Sequence, residues 1–273
     1  MSKYKMIVSD LDGTLLRDIV SVSEENYEAI KKLDEMGITF VFATGRSCKE
    51  VPKRLREFKS IKYQINSNGA SVRDSEGKVI DSALISPEKY RQALEILREY
   101  KCHRAVHIDG RACVDSAQIG DEIVDEFHVP HLYLDIFRRL TDKIENLEEY
   151  ALDNKEVEFI CCFFASDEEL FECKDRLMKL GGLSVTSSAK FNLEVVADGA
   201  LKGDAVTRLA NKLGIKKEEI IAVGDSRNDI SLLEVAGMPL AVENANDALK
   251  KCAKKVICNH KDHIAKYILE NIV

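Results

Sequence analysis

The chain has 273 residues, of which 45% are hydrophobic and 32% are charged, and its formal net charge at pH 7 is −7. This length suits one large domain or two of ordinary size, and the hydrophobic share is sufficient for a packed core. The acidic balance argues against nucleic acid and against an anionic membrane surface as partners, because both attract basic proteins.

Cysteine usage and the apolar runs indicate a protein of a reducing compartment. The eight cysteines include no Cys-x-x-Cys pair and no Cys/His spacing typical of a zinc site. We therefore expect reduced thiols, with Cys161 and Cys162 as small core residues. Met-Ser-Lys leads directly into an apolar strand, and the apolar runs are shorter than the ~18 residues of a membrane span, so we expect a cytoplasmic protein.

Two carboxylates follow the first predicted strand, the apolar run over residues 4–8. Asp10 and Asp12 are two residues apart, and side chains at this spacing point to the same side of a strand. Two carboxylates in one small volume repel each other, and a divalent cation would remove that repulsion. The alternative is a solvated acidic turn, because Asp12-Gly13 is a common turn dipeptide.

A strand, helix, strand, helix, strand pattern occupies residues 4–65. A helix is predicted from the capping box Ser21–Glu24 to Gly37, then a strand over 38–42, a helix from Ser47 through Phe58, and a strand over 61–65. This alternation predicts right-handed βαβ units and a parallel sheet.

The middle third has a different pattern. Its predicted elements are a helix over 86–100, strands over 104–108 and 112–115, helices near 118–127 and 141–152, a strand over 156–165, a helix after Ser166, and strands around 184–186 and 192–195. We interpret 83–189 as an inserted α+β domain, with a Rossmann-like core formed by 1–82 and 190–273. Four of the six histidines lie in this third, and we expect them to be solvated or structural.

Alternation returns after the insertion. Its predicted elements are a helix from Lys202 to Gly214, a strand over 219–223, the loop Gly224–Asp229, a helix over 230–236, a strand over 239–242, a helix over 244–253, a strand over 256–258 and a helix over 264–272. Ligands bind at the carboxyl ends of parallel strands. Asp10, Asp12 and Thr44 all fall at that edge of the predicted sheet.

Four features now share the strand ends and helix starts of one sheet. They are the Asp10 and Asp12 pair, Thr44, Lys202 and the acidic loop 224–229. Each by itself has an ordinary structural explanation: a turn, a surface lysine or a helix cap. Together they supply what phosphoryl transfer needs, namely a nucleophile, charge neutralisation and a proton donor for the leaving oxygen.

The chemistry assigns a different task to each carboxylate. Asp10 could attack phosphorus and form an aspartyl-phosphate. Asp12 could protonate the leaving group and then deprotonate the water that hydrolyses the intermediate. Magnesium prefers hard oxygen ligands, which Asp10, Asp225 and a main-chain carbonyl near Asp12 could provide.

Three other residues could bind the phosphate group. Thr44 offers a hydroxyl and a main-chain N–H, Lys202 offers a point charge, and the Asn228 amide could donate a hydrogen bond.

The ordered motifs resemble the haloacid dehalogenase superfamily. They are Asp10-Leu11-Asp12-Gly13-Thr14, Thr44-Gly45-Arg46, Lys202-Gly203 and Gly224-Asp225-Ser226-Arg227-Asn228-Asp229. Three further features are similar to the Cof-type hydrolases (class IIB), which carry an α/β cap between the second and third motifs: Ala43-Thr44-Gly45-Arg46, the Asn68-Gly69-Ala70 turn, and Leu193-Glu194 followed by Gly199-Ala200-Leu201-Lys202-Gly203. One departure is His263, where relatives often have glycine.

The resemblance implies a Mg²⁺-dependent phosphatase that acts on a small phosphorylated metabolite, such as a sugar phosphate or a phosphorylated cofactor. The implied catalytic residues are the nucleophile Asp10 and the general acid/base Asp12. The metal would be held by Asp10, the main-chain oxygen of Asp12 and Asp225. The phosphate would be bound by the backbone of Leu11, Thr44 and Gly45 together with Lys202 and Asn228, and Asp229 would contact these residues rather than the substrate.

Two alternatives stay open at this point. A phosphosugar mutase could use the same pair of aspartates, and a phosphometabolite-binding protein could keep the fold without turnover. A hexose monophosphate distinguishes the first, since a mutase isomerises it without releasing phosphate. The sequence carries no pattern that indicates an oligomeric state.

Overall fold

The computed structural model describes residues 2–153 and 156–273, which form two compact units. The first unit comprises the chain up to Gly45 together with Val51–Ser82 and Leu201–Val273. The second comprises Arg46–Glu50 and Ala83–Ala200. Across the described ranges, the helices are too short or too polar to cross a membrane.

The strands of the described residues are β1 (Met6–Ser9), β2 (Thr39–Ala43), β3 (Ile61–Asn66), β4 (Ser71–Asp74), β5 (Val79–Ser82), β6 (Cys102–Ile108), β7 (Arg111–Asp115), β8 (Asp142–Ile144), β9 (Val157–Phe164), β10 (Leu183–Thr186), β11 (Asn192–Ala197), β12 (Ile220–Gly224), β13 (Met238–Ala241) and β14 (Lys255–Val256). The helices are α1 (Glu24–Glu35), α2 (Lys53–Arg56), α3 (Pro87–Leu97), α4 (Glu122–Glu126), α5 (His131–Leu140), α6 (Leu147–Asp153), α7 (Asp167–Leu180), α8 (Lys202–Leu213), α9 (Ile230–Glu234), α10 (Asp247–Cys252) and α11 (Ile264–Asn271).

The first unit is built on one sheet in the order β14-β13-β12-β1-β2-β3-β4-β5. Pairing is parallel from β14 to β3 and antiparallel for β3–β4 and β4–β5. Every residue of β1 and β12 is buried, as expected for apolar strands in the middle of a sheet that is covered on both faces. The predicted parallel-sheet core is confirmed, and its central strands β12, β1 and β2 bring three sequence-distant segments side by side.

The second unit has its own sheet in the order β10-β11-β9-β6-β7-β8. All its pairs are antiparallel except β7–β8, so the predicted α+β character is confirmed. The predicted end of the insertion at 189 is too early. Main-chain pairing of β11 with β9 and β10 draws the chain as far as Ala200 into this unit, so residues 190–200 do not belong to the core.

The helix predicted from Ser47 through Phe58 does not form as one element. It consists of a short 3₁₀ turn over Cys48–Glu50 and of α2, with Pro52 between them. Proline has no N–H and clashes with the preceding turn of a helix, which explains the break. The main-chain N–H of Lys49 donates to Gly110 O at 3.0 Å, so the pentapeptide Arg46–Glu50 packs within the second unit.

The helices predicted near 118–127 and 141–152 form only in part, as the shorter helices α4 and α6. Helix α5 and the short strand β8, which lie between them, were not predicted. Residues 131–140 were missed because Pro130 indicates a loop, whereas proline is well tolerated immediately before a helix. Leu134, Ile136 and Phe137 supply the buried face of α5.

His103 lies in β6 and is fully buried. Its ring stacks on Phe137 with centroids 4.9 Å apart, and Nε2 contacts Gln118 O at 3.0 Å. Nδ1 is buried without a hydrogen-bond partner among the described residues, so protonating it would bury an unpaired N–H. Burial accordingly lowers the pKa of His103 from 6.5 to about 4.

We expect this histidine to make the protein less stable in mild acid. The unfolded chain takes up a proton near pH 6.5 and the folded chain near pH 4, so stability falls as the pH drops between these values. The loss at pH 5 should be about 2 kcal/mol. Urea unfolding from pH 7 to 4.5 should show a flatter pH dependence for His103→Gln than for wild type. His131→Gln, at an exposed position, should keep the wild-type slope; equal slopes for all three proteins would contradict the assignment.

Candidate active site

Asp10 follows β1 directly and continues its pairing with β12, because its N–H donates to Val223 O at 2.9 Å. The residue is 4% exposed. The chain then makes a wide turn over Leu11–Leu15, which is closed by a bond from Leu16 N to Leu11 O at 2.9 Å. The side chain of Leu11 is apolar and fully buried, so only its main chain can hydrogen-bond to a ligand at this edge.

Gly13 allows the turn to lie against the acidic loop that follows β12. Its φ is +73°, and a Cβ here would be 2.6 Å from Asp225 Oδ2. Any other residue would therefore clash with this carboxylate and would strain the backbone as well. Asn244 Nδ2 donates to Gly13 O at 2.8 Å and holds the same turn from the β13 side.

Lys202, the first residue of α8, lies between two carboxylates. Its Nζ is 2.7 Å from Asp10 Oδ1 and 2.6 Å from Asp229 Oδ1, and the residue is 1% exposed. Gly203 makes this placement possible, because a Cβ at that position would be 2.1 Å from Ser231 O. The glycine lets the start of α8 approach α9 closely enough to bury the ammonium group beside Asp10.

Asp229 supports the loop rather than projecting from it. Its Oδ2 accepts hydrogen bonds from the main-chain N–H groups of Asp225 at 3.0 Å and Ser226 at 3.1 Å, while Oδ1 contacts Lys202. Both oxygens are thus engaged by groups that belong to the site itself. This arrangement favours the predicted role, in which Asp229 positions its neighbours.

The carboxylates of Asp10, Asp225 and Asp229 form a group that could hold a cation. Each offers an oxygen, and these oxygens lie within 4.8 Å of one another. Asp225 Oδ1 is buried and has no hydrogen-bond partner in the described part of the chain. A buried carboxylate oxygen without a donor is costly unless a cation occupies the position that a donor would take. Asp12 is half-buried and lies outside this group of three.

The charges around these three carboxylates also favour a bound cation. Burial raises the pKa of Asp10 well above its ordinary value, and the charges of Asp229, Asp225 and Asp12 raise it further against the opposing effect of Lys202. Burial and Asp229 raise the pKa of Asp225 to about 7. Burial alone would lower the pKa of Lys202, but Asp10 and Asp229 outweigh it and raise that pKa. One ammonium group does not balance this much negative charge, so a divalent cation with oxygen ligands fits the donor set.

Thr44 and Gly45 follow β2 at the same edge. The main-chain N–H of Thr44 donates to Ile65 O at 3.0 Å, so the sheet already uses this donor, and the phosphate contact of Thr44 stays a prediction for its hydroxyl. The parallel pairing of β2 with β3 simply continues one residue past the end of the strand and uses this donor. Thr44 is 1% exposed.

Asn228 brings a further residue, Asn68, into the site. Asn228 is 7% exposed, and its Nδ2 donates to Asn68 Oδ1 at 3.2 Å. A Cβ at Gly45 would be 3.3 Å from the same Oδ1. From the sequence, Asn68 could be recognised only as part of the Asn68-Gly69-Ala70 turn, through the Asn-Gly dipeptide after a strand end and the similarity of this turn to the Cof-type hydrolases.

Residues 7–268 match the family model of the haloacid dehalogenase-like hydrolases. The chain belongs to this family. It is 30% identical over 285 residues to the 5-amino-6-(5-phospho-D-ribitylamino)uracil phosphatase YwtE of Bacillus subtilis, with 98% of each chain covered. It is 28% identical to the phosphatase YwpJ of the same organism, and the alignment covers 98% of this chain and 100% of that protein.

Solved structures of the family share the fold. The structure of a haloacid dehalogenase-like hydrolase from B. subtilis is similar to this chain with a TM-score of 0.83 and 29% identity, over 98% of this chain and 100% of that one. The structure of TM0651 from Thermotoga maritima has a TM-score of 0.75 and 28% identity, over 99% and 98%. The resemblance to the Cof-type branch is confirmed, and this haloacid dehalogenase-like hydrolase is an enzyme of the phosphatase type.

Proposed function

We propose that the protein is a Mg²⁺-dependent phosphate-monoester hydrolase that acts through an aspartyl-phosphate on Asp10. The observation that carries this proposal is the buried Lys202, which bridges Asp10 and Asp229 beside an Asp225 oxygen without a donor. A nucleophile, a fixed positive charge and a cation-binding oxygen thus meet within one edge of the sheet.

Asp10, Asp225 and the main-chain oxygen of Asp12 would hold the magnesium ion. These are hard oxygen donors, which suit Mg²⁺ better than softer metals. When bound, the ion would neutralise charge on the carboxylates and on the phosphate group. Asp229 stays engaged with Lys202 and with the loop N–H groups, so it supports this set without joining it.

In the first step, a carboxylate oxygen of Asp10 attacks phosphorus and the bond from phosphorus to the leaving oxygen breaks. Lys202 Nζ, 2.7 Å from Asp10 Oδ1, holds the nucleophile in one orientation. Asp12, held by the turn that follows Asp10, gives its proton to the leaving oxygen. Lys202, the Thr44 hydroxyl, the main chain of Leu11 and Gly45, and the Asn228 amide bind the phosphate oxygens.

In the second step, Asp12 removes a proton from water, and the oxygen of that water attacks phosphorus. The bond between phosphorus and Asp10 breaks, which releases inorganic phosphate and restores the carboxylate of Asp10. Asp12 has then returned to its protonated form, so both aspartates are ready for another turnover.

The substrate we propose is a small phosphorylated metabolite of the sugar-phosphate or phosphorylated-cofactor class. Support comes from relatives named as 5-amino-6-(5-phospho-D-ribitylamino)uracil phosphatases, at 30% and 27% identity over nearly the whole chain. That compound carries its phosphate on a sugar-derived chain, so it belongs on a substrate panel together with hexose monophosphates.

The test is release of inorganic phosphate from an aryl phosphate and from this panel, with Mg²⁺ and with EDTA. We expect release that requires Mg²⁺ and is fastest on one compound of the panel. Isomerisation of a hexose monophosphate without free phosphate would replace the hydrolase with a mutase. Tight binding of a panel compound without any turnover would indicate a binding protein.

We expect Asp225→Asn to weaken Mg²⁺ binding while the protein stays folded. Replacing one charged oxygen ligand by an amide lowers affinity for Mg²⁺, and we expect the half-saturating Mg²⁺ concentration to rise on the order of 10–100-fold. Activity should partly recover at high Mg²⁺. Asp175→Asn, at an exposed position on α7, should leave the Mg²⁺ requirement unchanged. An unaltered Mg²⁺ titration of the Asp225 variant would remove this residue from the ligand set.

A further inference from the structure

The turn after β3 has an unusual backbone. Ser67, Asn68 and Gly69 have φ values of +51°, +57° and +111° in succession. Residues other than glycine rarely adopt this region, and strain of this kind persists only where surrounding contacts impose it. Two such contacts are the bond from Asn68 N to Thr44 O at 2.9 Å and that from Arg208 to Gly69 O at 3.2 Å.

The side chain of Asn68 joins two parts of the candidate site. It is 1% exposed, and its Oδ1 accepts the hydrogen bond from Asn228 Nδ2 at 3.2 Å. The same oxygen lies against Gly45, where a Cβ would approach it to 3.3 Å and Asn228 Nδ2 to 4.0 Å. Backbone and side chain of Asn68 thus connect the turn after β2 with the loop after β12.

We propose that Asn68 is a positioning residue that fixes the orientation of the Asn228 amide towards the substrate's phosphate group. The inference rests on the proposed function, which places Asn228 among the phosphate-binding residues. Asn68 would act through Asn228 and through the Thr44–Gly45 turn, without touching the reacting atoms.

The physical reason is the two-sidedness of an amide. A phosphate group offers acceptor oxygens, so Asn228 can hydrogen-bond to it only when Nδ2, and not Oδ1, faces the phosphate. Rotating the amide by 180° would place its own oxygen against Asn68 Oδ1, and two acceptors repel each other. Both hydrogens of Asn228 Nδ2 lie in the amide plane. The hydrogen bond that Asn68 Oδ1 accepts from one of them therefore fixes the direction in which the other points.

Asn68→Gly tests this role, because glycine suits the observed φ and the change removes only the side chain. Loss of one orienting hydrogen bond should lower kcat/KM for an aryl phosphate roughly tenfold and raise the inhibition constant of inorganic phosphate by a similar factor. Asn68→Ala removes the same acceptor and should show the same kinetic loss, together with lower stability, because a Cβ is strained at this φ. The matched control is Asn146→Gly, an exposed asparagine with φ of +55°, which should keep wild-type kinetics.

The double variant Asn68→Gly, Asn228→Ala decides whether Asn68 acts through Asn228. We expect it to be no slower than Asn228→Ala alone, since the orienting bond is already lost there. Wild-type kinetics in both Asn68 variants, or losses that multiply in the double variant, would overturn the proposal. An inactive wild-type protein, or an active Asp10→Asn, would instead overturn the proposed function.

Discussion

Asp10→Asn should reduce kcat on the order of 10⁴-fold or more while inorganic phosphate still binds. An amide cannot attack phosphorus to form the aspartyl-phosphate, so the step that defines this mechanism is lost. Asparagine has the same size, and its Oδ1 can still accept the hydrogen bond that Lys202 now donates at 2.7 Å. The loss should therefore appear in kcat and leave the inhibition constant of phosphate within a few-fold of wild type.

Single-turnover measurements separate this result from a general loss of structure. Wild type quenched in acid should carry phosphate bound to the protein, and Asp10→Asn should carry none. The control Asp175→Asn makes the same chemical change at an exposed position of α7 and should behave as wild type. If Asp10→Asn retained a substantial fraction of kcat, Asp10 would no longer be the nucleophile.

Lys202→Met should lower both activity and stability. The side chain is 1% exposed and is the ammonium partner of Asp10 and Asp229, which are buried as well. Removing one member of such a group leaves charges buried without compensation, which costs roughly 3–5 kcal/mol of the free energy of unfolding. We expect kcat/KM to fall on the order of 10²–10³-fold, because the phosphate group also loses a fixed positive charge.

Urea unfolding with and without Mg²⁺ gives the sharper readout for this variant. Without Lys202 the carboxylates repel one another more strongly, so Mg²⁺ should stabilise Lys202→Met more than it stabilises wild type. Lys251→Met, at an exposed position of α10, should change neither stability nor its dependence on Mg²⁺. Unchanged stability of Lys202→Met would mean that the ion pairs of Lys202 with Asp10 and Asp229 do not stabilise the fold.

The ordered motifs were sufficient to predict which segments meet. Asp10 and Lys202 are 192 positions apart, and Lys202 and Asp229 are 27 apart, yet all three were placed at one sheet edge from strand ends and helix starts. This works because parallel strands align their carboxyl ends, so a residue just after a strand has a predictable position.

Contacts that depend on strand register or on a positive φ could not be predicted from the sequence. Whether the Thr44 N–H is used by the sheet depends on where the pairing of β2 with β3 stops. The role of Asn68 depends on a φ of +57°, which the dipeptide alone does not fix. His263 likewise has φ of +61°, and its Nδ1 contacts Ser23 Oγ at 2.8 Å.

The pentapeptide Arg46–Glu50 limits how far the insertion can be treated as a removable module. Because it packs with the second unit, the chain passes between the units at Gly45, Glu50, Ser82 and Ala200. A shortened protein that joins Ser82 to Leu201 would strip the pentapeptide of its partner at Gly110 and expose Glu50, now 4% exposed. A variant in which the insertion is replaced would therefore need replacement of Arg46–Glu50 as well.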